Sequence, residues 1–135
     1  MQPPDWSTFY SLPGSRSSNF EKLCRGLMRL HFERFGQFKA LSNQLGVEFH
    51  IRLTEPCQLG NPPKWFGWQC KYHSRTQIGD LTAATRKDIE SSLRTTEKVL
   101  PGITDWILWT PYTLSKKDQN WFYNLQTQIT AVRLL

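Results

Sequence analysis

Three side chains in this chain are spaced for phosphodiester chemistry. Gly67-Trp68-Gln69-Cys70-Lys71-Tyr72 is an apolar run broken by an amide and an ammonium two residues apart. Side chains on a strand alternate faces with period 2, so Gln69 and Lys71 share one face while Phe66, Trp68, Cys70 and Tyr72 share the other. Upstream, Val47-Glu48-Phe49-His50-Ile51-Arg52-Leu53 alternates too, with Val47, Phe49, Ile51 and Leu53 on one side and Glu48, His50 and Arg52 on the other. If the two strands are neighbours, Glu48, Gln69 and Lys71 converge. A carboxylate, an amide oxygen and an ammonium around one point suit metal-assisted phosphodiester hydrolysis. Glu48, Gln69 and the backbone carbonyl of Cys70 supply hard oxygens for Mg²⁺ or Mn²⁺, and such a cation keeps several waters of its own. It polarises a phosphate and acidifies a bound water, while Lys71 stabilises the charge that builds up there.

Each residue also has an ordinary structural role. Glu48 can pair with Arg52 or His50 across a strand surface, Lys71 can snorkel at a strand end, and Gln69 can satisfy buried backbone groups. Their combination is what favours chemistry. A zinc site from Cys57, Cys70, His50 and His73 is disfavoured, because Cys70 and His73 are an odd number of residues apart and point to opposite strand faces. No Gly-x-Ser-x-Gly, P-loop or Gly-x-Gly-x-x-Gly motif is present.

The elements that position these residues follow from periodicity and turn chemistry. Pro3, Pro4, Pro13 and Gly14 make residues 1–16 an irregular arm, and residues 17–135 one domain. Ser18-Asn19-Phe20-Glu21 reads as a capping box, a role that by itself explains Glu21. Phe20, Leu23, Leu27, Leu30 and Phe38 then recur at helical spacing. The Glu48 strand follows, then a loop over 54–64 punctuated by Pro56, Gly60 and Asn61-Pro62-Pro63, then the Gln69 strand. Thr82 to Leu100 reads as a helix with Ile89, Leu93 and Leu100 inward and Arg86, Lys87, Arg94 and Lys98 outward. Arg86, Lys87 and Arg94, together with His50 on the Glu48 face, are the candidates for contacting nucleic-acid phosphates. Asp105 to Thr110 is a short run suited to a strand covered on both faces, which implies a parallel pair across the helical crossover. Ser115 then caps a final helix with Trp121, Phe122, Leu125 and Ile129. The order is α, β, β, α, β, α. The apolar end, Val132-Arg133-Leu134-Leu135, reads as a continuing helix, so the chain is expected to be a fragment of a larger protein.

Composition agrees with an ordered α/β domain. In 135 residues, 39% are hydrophobic and 13% aromatic, too much apolar surface for a disordered chain. Seventeen Lys and Arg against eleven Asp and Glu leave a net charge of +6, which favours polyanionic partners. Three cysteines without Cys-x-x-Cys spacing indicate no disulfide framework. With no basic leader and no apolar stretch near the ~20 residues of a membrane span, a soluble, cytoplasmic protein is expected, with no membrane partner.

An acid on one strand and Gln-x-Lys on the next, in this order of elements, resembles the PD-(D/E)xK nuclease superfamily. Within it the chain resembles the Mrr-like branch, in which Gln replaces the second acid. The run Gly67 to Tyr72 and the helix after it also resemble N-terminal effector endonuclease domains of prokaryotic antiphage proteins, including antiviral STAND NTPases and CBASS effectors. The resemblance spans roughly residues 20–110. It implies a restriction-endonuclease-like three-layer sandwich, a mixed sheet between helices. It further implies Mg²⁺- or Mn²⁺-dependent cleavage of DNA, most readily double-stranded, by Glu48, Gln69 and Lys71, with Glu21 as an additional acid on the first helix. Activity through homo-oligomerisation would follow from the same likeness. A non-catalytic nucleic-acid-binding or oligomerisation module, and a nuclease acting on RNA, are the alternatives. The chain departs from the commonest pattern in having Glu rather than Asp at position 48 and no second strand carboxylate.

Overall fold

The computed structural model describes residues 6–40, 46–71, 79–111, 113–129 and 132–135. It opens with a short helix, α1 (Trp6–Tyr10), inside the arm expected to be irregular. Helix α2 (Arg16–Phe32) is capped by Ser15, whose hydroxyl accepts the Ser18 N–H. The cap thus precedes the expected one, and Glu21 stands within the helix body, no longer explained as a capping acid. The buried stripe is also rotated from the expected one. Phe20, Cys24 and Met28, at i, i+4 and i+8, are buried, whereas Leu23, Leu27 and Leu30 are 41, 40 and 79% exposed.

A 3₁₀ turn (Glu33–Phe35) leads into β1 (Gly36–Ala40), a strand that helical spacing had hidden. Phe38 fits the helical pattern, yet it stacks on Phe49 of the neighbouring strand at 5.5 Å and lies beneath the Arg29 guanidinium. Cross-strand pairing decides its conformation. Strands β2 (Phe49–Leu53) and β3 (Trp65–Cys70) follow, then α3 (Ala83–Val99), β4 (Asp105–Trp109), α4 (Lys116–Gln128) and β5 (Arg133–Leu134). The caps of α3 and α4 are Thr82 and Ser115, as their sequence signals indicate. Arg133–Leu134 form a strand where a continuing helix was expected.

The five strands lie in chain order, with β1–β2 and β2–β3 antiparallel and β3–β4 and β4–β5 parallel. Against one face, Phe20, Cys24 and Met28 of α2 pack on Phe49, Ile51, Leu53, Phe66, Trp68 and Cys70. Against the other, Ile89 and Leu93 of α3 and Leu125 of α4 pack with Trp65, Trp106 and Ile129. The domain is therefore a mixed α/β three-layer sandwich, as expected from the sequence. Gly67 permits close packing on the second face, since a Cβ there would lie 2.6 Å from Ile103 Cδ1 and 2.9 Å from Val47 Cγ1. Among the described residues no helix is long and apolar enough to cross a membrane.

Val47 departs from the predicted alternation. It joins the α3-facing cluster while Phe49 faces α2. The Glu48 N–H bonds to the Trp68 carbonyl although Phe49 is the residue paired with Trp68. Two consecutive residues thus oppose one, as in a β-bulge, and the phase slips there.

Candidate active site

The entry to β2 is fixed by Gly46. Its φ of +78° is readily available only to glycine, and a Cβ there would lie 2.2 Å from the Ser92 carbonyl oxygen and 2.5 Å from Thr96 Oγ1. The backbone can therefore press directly onto α3 and deliver Glu48 to the end of β3. There the carboxylate is fully engaged: Gln69 Nε2 donates to Oε1 at 2.9 Å, and the Cys70 N–H donates to Oε2 at 2.9 Å. Both Glu48 and Gln69 are 5% exposed. Of the three residues expected to converge, Glu48 and Gln69 meet.

Taking a carboxylate out of water disfavours its charged form. Burial lifts the pKa of Glu48 from 4.5 to about 7, the nearby Glu21 adding to the rise while the Cys70 N–H and Lys71 pull against it. Glu21, on α2, forms a loose ion pair with Arg25 at 3.9 Å and acts electrostatically on both Glu48 and Cys70. It belongs to the surroundings of the site. Beneath it, the Cys70 thiol is held protonated by its contact with Cys24 and by burial.

Lys71 follows β3 on the α3 side, its N–H bonded to the Trp109 carbonyl. Its ammonium meets Asp88 of α3 at 2.5 Å. Asp88 was not foreseen from the sequence. An acid directly after Lys87 on a helix looks solvated, and only the crossover that places α3 against β3 gives it a partner.

The candidates for phosphate binding separate. Arg86 is spent elsewhere: its Nε and Nη2 bond to Oδ1 of the buried Asp118 at 3.0 and 2.5 Å, tying α3 to α4. Arg94 pairs with Glu90 at 3.0 Å, and Lys87 is exposed beside it. His50 Nδ1 accepts the Trp65 indole N–H at 2.9 Å. The alternative zinc ligands are likewise dispersed, with Cys70 against Cys24 in the α2 layer and His50 on Trp65, while His73 lies outside the described residues.

Among the described residues no group of three or more His, Cys, Asp and Glu side chains is arranged to hold a metal. A cation at this point would rest on Glu48, the Gln69 amide oxygen, the Cys70 carbonyl and water. That donor set fits a hard divalent cation, which commonly takes one or two carboxylates and keeps its waters. A desolvated carboxylate that binds a proton near neutrality readily exchanges it for such a cation. Compared with models of known families and with curated proteins, the chain matches none of them.

Proposed function

We propose that this domain is a metal-dependent endonuclease acting on double-stranded DNA through Glu48, Gln69 and Lys71, with Glu21 as an accessory acid. The observation that supports it most is the meeting of Glu48 and Gln69 in a desolvated pair at the end of β3, with Lys71 next along the chain. Glu48, Gln69 and the Cys70 carbonyl would hold Mg²⁺ or Mn²⁺. When bound, that cation supplies Lewis acidity toward the phosphate and acidifies a water. Lys71 donates from Nζ to a non-bridging phosphate oxygen, and Asp88 orients it beforehand. With a pKa near 7, Glu48 surrenders its proton within the neutral range and presents a charged oxygen there.

The proposed setting is a cytoplasmic antiphage effector that gains double-strand cleavage when copies are brought together. One site cuts one strand per engagement, and tethering raises the effective concentration of a second site to the millimolar range.

Relaxation of supercoiled plasmid in Mg²⁺ or Mn²⁺ tests the chemistry. Glu48→Ala and Lys71→Ala should each slow it by ~100-fold with the circular dichroism spectrum retained. Metal-dependent cleavage that persists in both variants rejects the site. Faster cleavage of a matched RNA would transfer the substrate to RNA. A second reading, a non-catalytic nucleic-acid-binding or oligomerisation module, draws on the fact that both Glu48 oxygens and Lys71 already have protein partners. Mn²⁺ titration separates the two, since a nuclease site binds Mn²⁺ and loses it on Glu48→Ala.

A further inference from the structure

On the α3 side of the sheet, Gln37, Lys39 and Arg52 remain exposed beyond the edge of the helical layer. Pairing sets Lys39 opposite His50 and Gln37 opposite Arg52, then His50 opposite Gly67 and Arg52 opposite Trp65. Their side chains therefore share one face, the face that also carries Gln69 and Lys71. With Phe38 they line a cavity of about 350 Å³.

The lining holds two fixed cations and no carboxylate. The Arg52 guanidinium lies 4.2 Å above the Trp65 ring, which pins its plane and leaves its outer edge as a two-pronged donor for an oxyanion. Because His50 Nδ1 accepts the Trp65 N–H, the neutral imidazole carries its proton on Nε2 and offers it as a donor. Among the described residues neither Lys39 nor Arg52 pairs with a carboxylate, in contrast to Lys71, Arg86 and Arg94.

We infer that this cavity binds the phosphate backbone of a DNA strand leading to Glu48, Gln69 and Lys71. The choice of DNA rests on the nuclease reading; the choice of a phosphodiester rests on the cavity. Lysine, arginine and imidazole N–H donors surround it, and Trp65, covered by Arg52, is only 9% exposed; contacts made to phosphate oxygens carry no sequence information. Glu48 lies two residues from His50 and four from Arg52, roughly 7–13 Å along the strand.

Anisotropy of a labelled duplex of about 20 base pairs, in EDTA and from ~50 to ~200 mM salt, tests this on the whole chain. Lys39→Gln/Arg52→Gln should weaken binding by ~10–100-fold at the lower salt and make the plot of log affinity against log salt shallower by about 1–2. Arg52→Lys, keeping charge without the fork, should fall between. A measurement on the wild type avoids any effect of Arg52 on folding: NMR titration with the same duplex should shift Lys39, His50 and Arg52. An unchanged slope, shifts confined to other faces, or saturation of these resonances by inorganic phosphate at equal phosphate concentration would each overturn the inference. Plasmid cleavage is read separately. Loss of slope without wild-type cleavage keeps this surface and rejects the nuclease, whereas cleavage with an unaltered slope does the reverse.

Discussion

Glu48→Gln isolates the charge at the centre of the site. The carboxyl is 5% exposed, and its pKa is lifted from 4.5 to about 7, chiefly by burial. Between those values the folded chain keeps a proton that the unfolded chain has released. Stability from this group is therefore fully present below about pH 4.5 and is lost as the pH rises through about 7. The loss approaches ~1.4 kcal/mol per pH unit and accumulates to about 3 kcal/mol across the interval. Glutamine carries no charge at any pH and, with the Gln69 amide turned over, keeps the bonds to Gln69 and Cys70. In urea unfolding with EDTA present, the stability of the variant relative to wild type should rise by about 3 kcal/mol between pH 4.5 and pH 8. Mn²⁺ should flatten only the wild-type curve, because the cation takes the place of the proton. A difference constant within about 0.5 kcal/mol over that range would refute the desolvation of Glu48.

Three further outcomes follow from contacts described above. Arg86→Met strips Asp118 of its counter-charge while leaving it buried, and should cost about 2–3 kcal/mol, roughly 10 °C in thermal midpoint, with the salt dependence of DNA binding unchanged. Gly46→Ala forces a Cβ into the α3 backbone, so chemical denaturation should show a loss of at least ~2 kcal/mol, and Mn²⁺ affinity measured calorimetrically should fall with it. In the native protein a maleimide should label Cys57, which is half-buried, and spare Cys24 and Cys70, which are 3 and 6% exposed, as mass spectrometry after a short pulse would show.

What could be read in the sequence was local. That Glu48 meets Gln69 was legible from the two short strands, although the alternation that suggested it slips at the Glu48–Phe49 bulge, and α3 and α4 announced their ends through Thr82 and Ser115. What escaped depended on partners far along the chain. Phe38 satisfies helical and strand periods equally, and only Phe49 across the hairpin decides between them. On α2 two apolar stripes lie side by side, one of Leu23, Leu27 and Leu30 and one of Phe20, Cys24 and Met28; periodicity alone does not choose between them. Arg86 looked solvated until Asp118, thirty-two residues on, was brought beneath it. The donor cavity needed β1, so Lys39 had no face until that strand was recognised.

Helix α3 touches the site twice. Its Asp88 holds the ammonium of Lys71, and one to two turns further on Ser92 and Thr96 receive the bare backbone of Gly46, two residues before Glu48. The carboxylate and the ammonium of the site thus hang from a single rigid bar, although they belong to different strands. A slide or rotation of that bar is transmitted to both at once and in a fixed ratio, so their separation is geared. Adding or deleting one residue between Asp88 and Ser92 would turn the two attachment points ~100° out of phase, and the site would lose its alignment while each strand remained intact.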